Sequence, residues 1–187
     1  MTVTAVLLAG GESRRMGEDK ATLIFHGKPL WQIQIDLLRK LKPAEILISA
    51  RVDPVWRPPD LPFVPDDSPS RGPLSGLTSS LARVQSSHLL ALAIDMPFMS
   101  ETYLRALFDR IEPGHGVLPM IDDRAEPLAA IYPADTHKDF VAALSGNDSS
   151  LQTLTKRLVK AGKLRAILVA KESERFFRNL NEPADLA

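Results

Sequence analysis

Apolar runs alternate with segments of helical spacing along the whole chain, and this rhythm predicts the elements. Val3–Leu8 is unbroken apolar sequence up to Gly10-Gly11, the pattern of a strand covered on both faces. A short apolar piece over 21–25 and a His26-Gly27-Lys28-Pro29 turn follow. From Leu30, the positions Ile33, Leu37, Leu38 and Leu41 recur on one helical face until Pro43 ends the helix. Glu45–Ala50 reads as a second strand, and 53–62, with four prolines, as an ordered irregular connection. A brief third strand at Phe63-Val64 delivers Asp66 and Asp67. After the Ser70-Arg71-Gly72-Pro73 turn, a helix runs through Ser75, Leu77 and Leu81, and 89–94 is a buried strand with Asp95 at its end. Ser100 is placed to cap a helix carrying Tyr103, Leu104, Leu107 and Ile111, closed by Pro113-Gly114. Residues 116–120 and 127–132 pair as strands across 121–124. Helices near 138–144 and 151–160 and a late strand over 164–169 complete the pattern.

Strands alternating with helices predict an α/β fold with a mostly parallel, doubly wound sheet. In such sheets ligands bind beyond the carboxyl ends of the strands. The glycine turn, Asp67 and Asp95 all fall at that edge, so three distant stretches converge on one place. The chain of 187 residues suits one domain, 1–187, able to bury a core without staples. A formal net charge of +0 argues against broad nucleic-acid or membrane-surface binding, so any positive site is local. With 0 cysteines, disulfides and thiolate metal sites are excluded. There is no apolar stretch of about 20 residues for a membrane span, and the N-terminal apolar run lacks a basic lead-in, so it reads as a strand and the expected compartment is the cytoplasm.

The stretch from Gly10 to Lys20 carries the chemistry. Gly10 and Gly11 allow a sharp turn that presents backbone N–H groups to an anion, and Arg14, Arg15 and Lys20 follow as cations to neutralise it. A Walker A loop is excluded, because Arg15 and Met16 stand where the second glycine would fall. A dinucleotide fingerprint is excluded because the two glycines are adjacent. Asp95 ends an apolar strand before Met96-Pro97, and Pro97 biases Met96 toward extended backbone, so the carboxylate projects at the sheet edge. It is the first choice for Mg²⁺, which takes one or two carboxylates together with phosphates and water; a turn or capping aspartate is the plain alternative. His26, His88, His115 and His137 show no metal-ligand spacing and read as structural or surface residues.

These residues, Leu8-Ala9-Gly10-Gly11 with Arg14-Arg15-Met16-Gly17 and Asp19-Lys20, resemble the nucleotidyltransferase signature of molybdenum cofactor guanylyltransferases. The resemblance continues in order through Gly27-Lys28-Pro29-Leu30, Asp67-Ser68, Gly72-Pro73-Leu74-Ser75-Gly76-Leu77, Asp95-Met96-Pro97-Phe98, Glu126-Pro127-Leu128 and Asn179-Leu180-Asn181-Glu182-Pro183. It implies a three-layer, Rossmann-like sheet of the nucleotidyltransferase type, and transfer of GMP from GTP to the phosphate of molybdopterin with release of pyrophosphate. Leu8, Ala9, Gly10, Gly11, Lys20, Asp67, Gly72, Gly76 and Asp95 would then line the nucleotide, with Asp95 holding Mg²⁺. Lys20 would contact the phosphates and Arg14 or Arg15 would stabilise charge as pyrophosphate departs. Asp67 could accept from guanine N1–H and N2–H or from a ribose hydroxyl. Asp66 beside it reads as a solvated neighbour. The Gly72 to Gly76 segment either lets a base approach or simply opens a helix.

Asn179 and Asn181 share a face across Leu180 in extended backbone and by resemblance lie on the pterin side, although an asparagine there is also a common cap. One departure is Arg51, where the family commonly has Asn, which puts one nucleotide contact in doubt. The implied substrates are GTP and molybdopterin, with room for apo-molybdoenzymes or a cofactor-delivery protein as partners and none for nucleic acid or membrane. The rivals are cytidylyl transfer to molybdopterin, nucleotidyl transfer to a sugar or alcohol phosphate, and a non-catalytic GTP-binding module.

Overall fold

Ten strands and five helices form among the described residues of the computed structural model, which are 1–10, 19–66, 69–146 and 150–180. In chain order these are β1 (Val3–Leu8), β2 (Ile24–Phe25), β3 (Lys28–Pro29), α1 (Leu30–Leu41), β4 (Glu45–Ala50), β5 (Phe63–Pro65), α2 (Pro73–Arg83) and β6 (His88–Ala93). There follow α3 (Glu101–Phe108), β7 (Gly116–Ile121), β8 (Arg124–Ala125), β9 (Ile131–Pro133), α4 (His137–Ser145), α5 (Leu151–Lys160) and β10 (Leu164–Leu168). The main sheet runs β10-β7-β9-β6-β1-β4-β5, with β8 folded back on the end of β7. β1 is parallel to β4 and β6, β4 to β5, and β10 to β7, while β9 alone is inserted antiparallel between β6 and β7. β2 and β3 form a separate hairpin whose His26-Gly27 turn has φ of 48° and 78°, the left-handed pair that a two-residue connection requires.

Alternation along β1 explains the layers. Val3, Ala5 and Leu7 point into one cluster with Leu30, Ile35, Leu38 and Leu41 of α1 and Leu104 and Leu107 of α3. Val6 and Leu8 point into the other, with Leu74, Leu77 and Leu81 of α2, Phe140 of α4, and Leu154 and Leu158 of α5. The sheet is thus the middle of three layers, and each fully buried leucine contributes roughly 1.5–3 kcal/mol of transfer free energy. Ser100 caps α3 by accepting from the backbone N–H of Tyr103, and Ser150 caps α5 in the same way toward Thr153.

Three expectations shift. The buried face of α1 is Leu30, Gln34, Ile35, Leu38 and Leu41, so Ile33 and Leu37 lie on the flank and are half-buried. α3 stops at Phe108, short of Pro113. Within 127–132, Pro127 breaks strand pairing, and Pro127–Ala129 becomes a 3-10 turn before β9. Gly11, Arg14, Arg15, Asp67 and Asn181 lie outside the described residues.

Candidate active site

β1 sits where the chain reverses its direction of growth across the sheet: β4 lies on one side of it and β6 on the other. That arrangement opens a crevice beyond the carboxyl ends of the three strands. The end of β1 supplies Leu8, Ala9 and Gly10, the end of β4 supplies Ser49, and the end of β6 leads through Ala93 and Ile94 to Asp95. Asp19, Lys20, Asp66, Pro73, Gly76 and Leu128 complete a cleft of about 140 Å³.

Lys20 reaches across this cleft. Its Nζ lies 3.5 Å from Asp95 Oδ2 and donates to the Leu180 carbonyl at 3.2 Å. Both side chains are only about a fifth exposed, at 22% and 21%, so the pair is screened less than a surface ion pair. The Asp95 carbonyl in turn accepts from the Leu180 N–H at 2.9 Å. Residues 20, 95 and 180 therefore meet at one point. Leu180 is buried and Asn179 is exposed.

The other wall is built around Asp66. Its backbone N–H continues the sheet by donating to the Ala50 carbonyl, and its carboxylate accepts from Ser49 Oγ at 3.1 Å and Ser70 Oγ at 3.2 Å. The carboxylate fills the space beside two glycines. A Cβ on Gly10 would sit 2.9 Å from Asp66 Oδ2, and one on Gly76 would sit 2.6 Å from Ser49 Oγ and 3.0 Å from Asp66 Oδ1. Gly76 thus serves close packing inside α2, whereas Gly72 has φ +66° and makes the turn into Pro73 at the first helical position.

The structure brings Leu8, Ala9, Gly10, Lys20, Gly76 and Asp95 together in the cleft. Gly72 stands at the entry to α2, one residue before Pro73, which lines the cleft. Asp66, read from the sequence as a solvated neighbour, is instead a wall residue held by two hydroxyls. Ser49, at the end of β4, is also a wall residue that the sequence reading did not single out and that follows from the C-terminal edge rule once the strand ends are known, and Leu128, named there only within Glu126-Pro127-Leu128, joins it from the 3-10 turn before β9. Glu126, two residues before Leu128, has its carboxyl pKa raised by burial, an effect opposed by the charge of Arg124.

Among the described residues no cluster of three or more His, Cys, Asp or Glu could hold a metal by protein ligands alone. Asp95 nevertheless suits a hard divalent cation, because it offers carboxylate oxygen in the cleft, to which phosphate and water oxygens would add the remaining ligands. The contact with Lys20 Nζ shows that this carboxylate accepts a cation from the cleft side.

Comparison with known proteins agrees with this geometry. The model of the MobA-like NTP transferase domain matches residues 5–164. A probable molybdenum cofactor guanylyltransferase of Opitutus terrae is 32% identical over 98% of this chain and 92% of its own length. The molybdenum cofactor guanylyltransferase of Xanthomonas euvesicatoria is 29% identical, covering 96% of this chain and 90% of its own. Among solved structures, molybdopterin-guanine dinucleotide biosynthesis protein A of Archaeoglobus fulgidus shares the fold with a TM-score of 0.77 at 22% identity, covering 98% of this chain and 94% of that one. A 2-C-methyl-D-erythritol 4-phosphate cytidylyltransferase of Thermus thermophilus shares it with a TM-score of 0.70 at 15% identity, over 100% and 96% of the two chains. A mostly parallel sheet with Lys20 facing Asp95 in the cleft at its carboxyl edge, together with a family match across most of the chain, makes this protein a nucleotidyltransferase belonging to the MobA-like NTP transferase family.

Proposed function

We propose that this protein transfers GMP from GTP to the terminal phosphate of molybdopterin, forming molybdopterin guanine dinucleotide and pyrophosphate. The observation that carries the reading is the opposition of Lys20 and Asp95 in the cleft, in a chain that matches relatives named guanylyltransferases over nearly its full length. A phosphate oxygen of the acceptor attacks the α-phosphorus of GTP. One P–O bond forms there, the bond to the bridging α–β oxygen breaks, and pyrophosphate leaves. The nucleophile is already an anion, so no general base is required, and the lack of a nucleophilic dyad among the described residues of the cleft is no obstacle.

The work is placement and charge neutralisation. Lys20 exchanges its contacts with Asp95 and the Leu180 carbonyl for the nucleotide phosphates. Leu8, Ala9 and Gly10 carry the nucleotide against the end of β1, Gly76 brings α2 close, and the segment ending in Asn179 and Asn181 takes the pterin. Arg14 and Arg15 share the charge that develops on the departing pyrophosphate, and Asp67 reads the nucleoside. Mg²⁺ held by Asp95 would screen the phosphates from one another and polarise the α-phosphate. The reading treats 1–187 as one nucleotidyltransferase domain working in the cytoplasm, and among the described residues no helix is long and apolar enough to cross a membrane.

The test is mass spectrometry of products after incubating the protein, Mg²⁺ and molybdenum-loaded molybdopterin with equimolar GTP and CTP, beside an enzyme of known activity. A guanine dinucleotide is expected, lost in Lys20→Ala and Asp95→Asn proteins that keep their thermal transitions. A cytosine product transfers the assignment to cytidylyl transfer. No product while the control reacts leaves a nucleotide-binding module.

A further inference from the structure

The two tryptophans of the chain stack on each other beside the cleft, with ring centroids 5.8 Å apart and planes 12° from parallel. Trp31 stands in the first turn of α1, and Trp56 lies in the proline-rich connection after β4. That connection is held rigid around Trp56. The Arg57 guanidinium forks onto Asp53 at 2.6 and 2.8 Å and donates to the Leu61 carbonyl at 2.6 Å. From this anchored ring the indole N–H donates to Asp19 Oδ2 at 2.9 Å.

Asp19 is the residue before Lys20 and itself lines the cleft. Its Oδ1 accepts from the Ala21 N–H at 3.0 Å and opens the 3-10 turn Lys20–Thr22. Its carbonyl takes the Thr22 hydroxyl at 2.8 Å. The indole N–H is the second donor to this carboxylate, so Trp56 holds Asp19 in the orientation that caps the turn carrying Lys20.

We propose that Trp56 is a positioning residue for Lys20: its indole N–H fixes the Asp19 carboxylate, which sets the turn that carries Lys20. The proposal rests on the reading of Lys20 as a phosphate ligand. Sequence spacing alone does not suggest it, because residues 19 and 56 meet only through the folding of the connection onto α1.

The experiment is a double-mutant cycle on the full chain with Trp56→Phe and Lys20→Ala, reading GTP dissociation constants by calorimetry and, for Trp56→Phe, kcat/KM for GTP. Phenylalanine keeps a ring for Trp31 and removes only the N–H. Trp56→Phe is expected to weaken GTP binding and kcat/KM about five-fold, the scale of one exposed charge-assisted hydrogen bond, while the KM for molybdopterin stays fixed. In the Lys20→Ala background the same change is expected to cost nothing further. An equal loss with and without Lys20, or no loss in the parent, overturns the proposal. Should Lys20→Ala alone leave GTP binding intact, the reading of Lys20 fails first and is identified as the failure.

Discussion

Replacing Gly76 by alanine sets two effects of known sign against each other. Gly76 lies within α2, where alanine is favoured over glycine by about 1 kcal/mol. The added Cβ would fall 2.6 Å from Ser49 Oγ, 3.0 Å from Asp66 Oδ1 and 3.1 Å from Leu8 Cδ2. Ser49 is 1% exposed and cannot swing into solvent, so its hydrogen bond to Asp66 must lengthen or break, at about 1 kcal/mol. Overpacking adds roughly 1–3 kcal/mol, and the net loss after the helical gain is about 1–3 kcal/mol. For a chain of 187 residues this lowers Tm by about 3–9 °C. The displaced carboxylate also deforms the cleft wall, so the KM for GTP is expected to rise several-fold. Scanning calorimetry and GTP saturation curves check both, and adding Ser49→Ala to Gly76→Ala should restore part of each. A Tm equal to or above the parent with an unchanged KM would refute the packing argument and leave helix propensity as the governing term.

Three further outcomes follow from named groups. Burial holds the Glu126 carboxyl above its usual 4.5, so its contribution to stability is present below that value and is lost as pH rises through the folded pKa. Glu126→Gln should therefore melt higher than the parent at neutral pH, with the gap closing near pH 4.5; a gap independent of pH would contradict this. His88 is buried and its pKa lies below 6.5, chiefly because burial disfavours the cation against weaker help from the His115 and Glu112 carbonyls. Its stabilisation is complete above pH 6.5 and is lost as pH falls through the folded value, so His88→Gln should flatten the decline in Tm between pH 7 and 5. Ser100→Ala removes the cap of α3 and is expected to cost about 1 kcal/mol, or about 3 °C in a thermal melt.

The sheet was legible in the sequence because its central strands are buried on both faces. Nothing in Val3–Leu8 or Glu45–Ala50 competes with the strand reading, and both appear with the expected bounds. The edge of the sheet was harder. Residues 127–132 carry enough apolar character for a strand, yet Pro127 lacks the N–H a ladder needs, and Tyr132 sends its hydroxyl back to the Pro127 carbonyl at 2.7 Å to hold the turn instead. In α1 the apolar positions 33 and 37 lie on the flank, because the centre of the contact with the sheet is taken by Ile35 and Leu38, with Gln34 drawn in beside them. Periodicity locates a helix's face to within a residue or so, and here it was off by that much.

The site shows why some of its members were readable and others were not. Gly10, Lys20 and Asp95 carry local signals: a turn after a buried strand, a cation on a short loop, an acid at a strand end. Asp66 carries none that separates it from Asp67, since adjacent residues in extended backbone differ only in which face they meet, and that face is set by the neighbouring strand. Its place is decided by Ser49 on β4 and by the two glycines that make room for it, 56 residues apart from Gly10 along the chain and 10 from Gly76. The same logic joins Lys20, Asp95 and Leu180. The Leu180 N–H and carbonyl are used in opposite directions, one toward the Asp95 backbone and the other toward the Lys20 ammonium. On the proposed reading the Lys20 contact yields to the nucleotide phosphates, whereas the bond from the Leu180 N–H to the Asp95 carbonyl remains. That backbone bond keeps the proposed acceptor segment fixed to the residue that follows β6 on the proposed nucleotide side, so two phosphates that repel each other are brought together on one rigid reference.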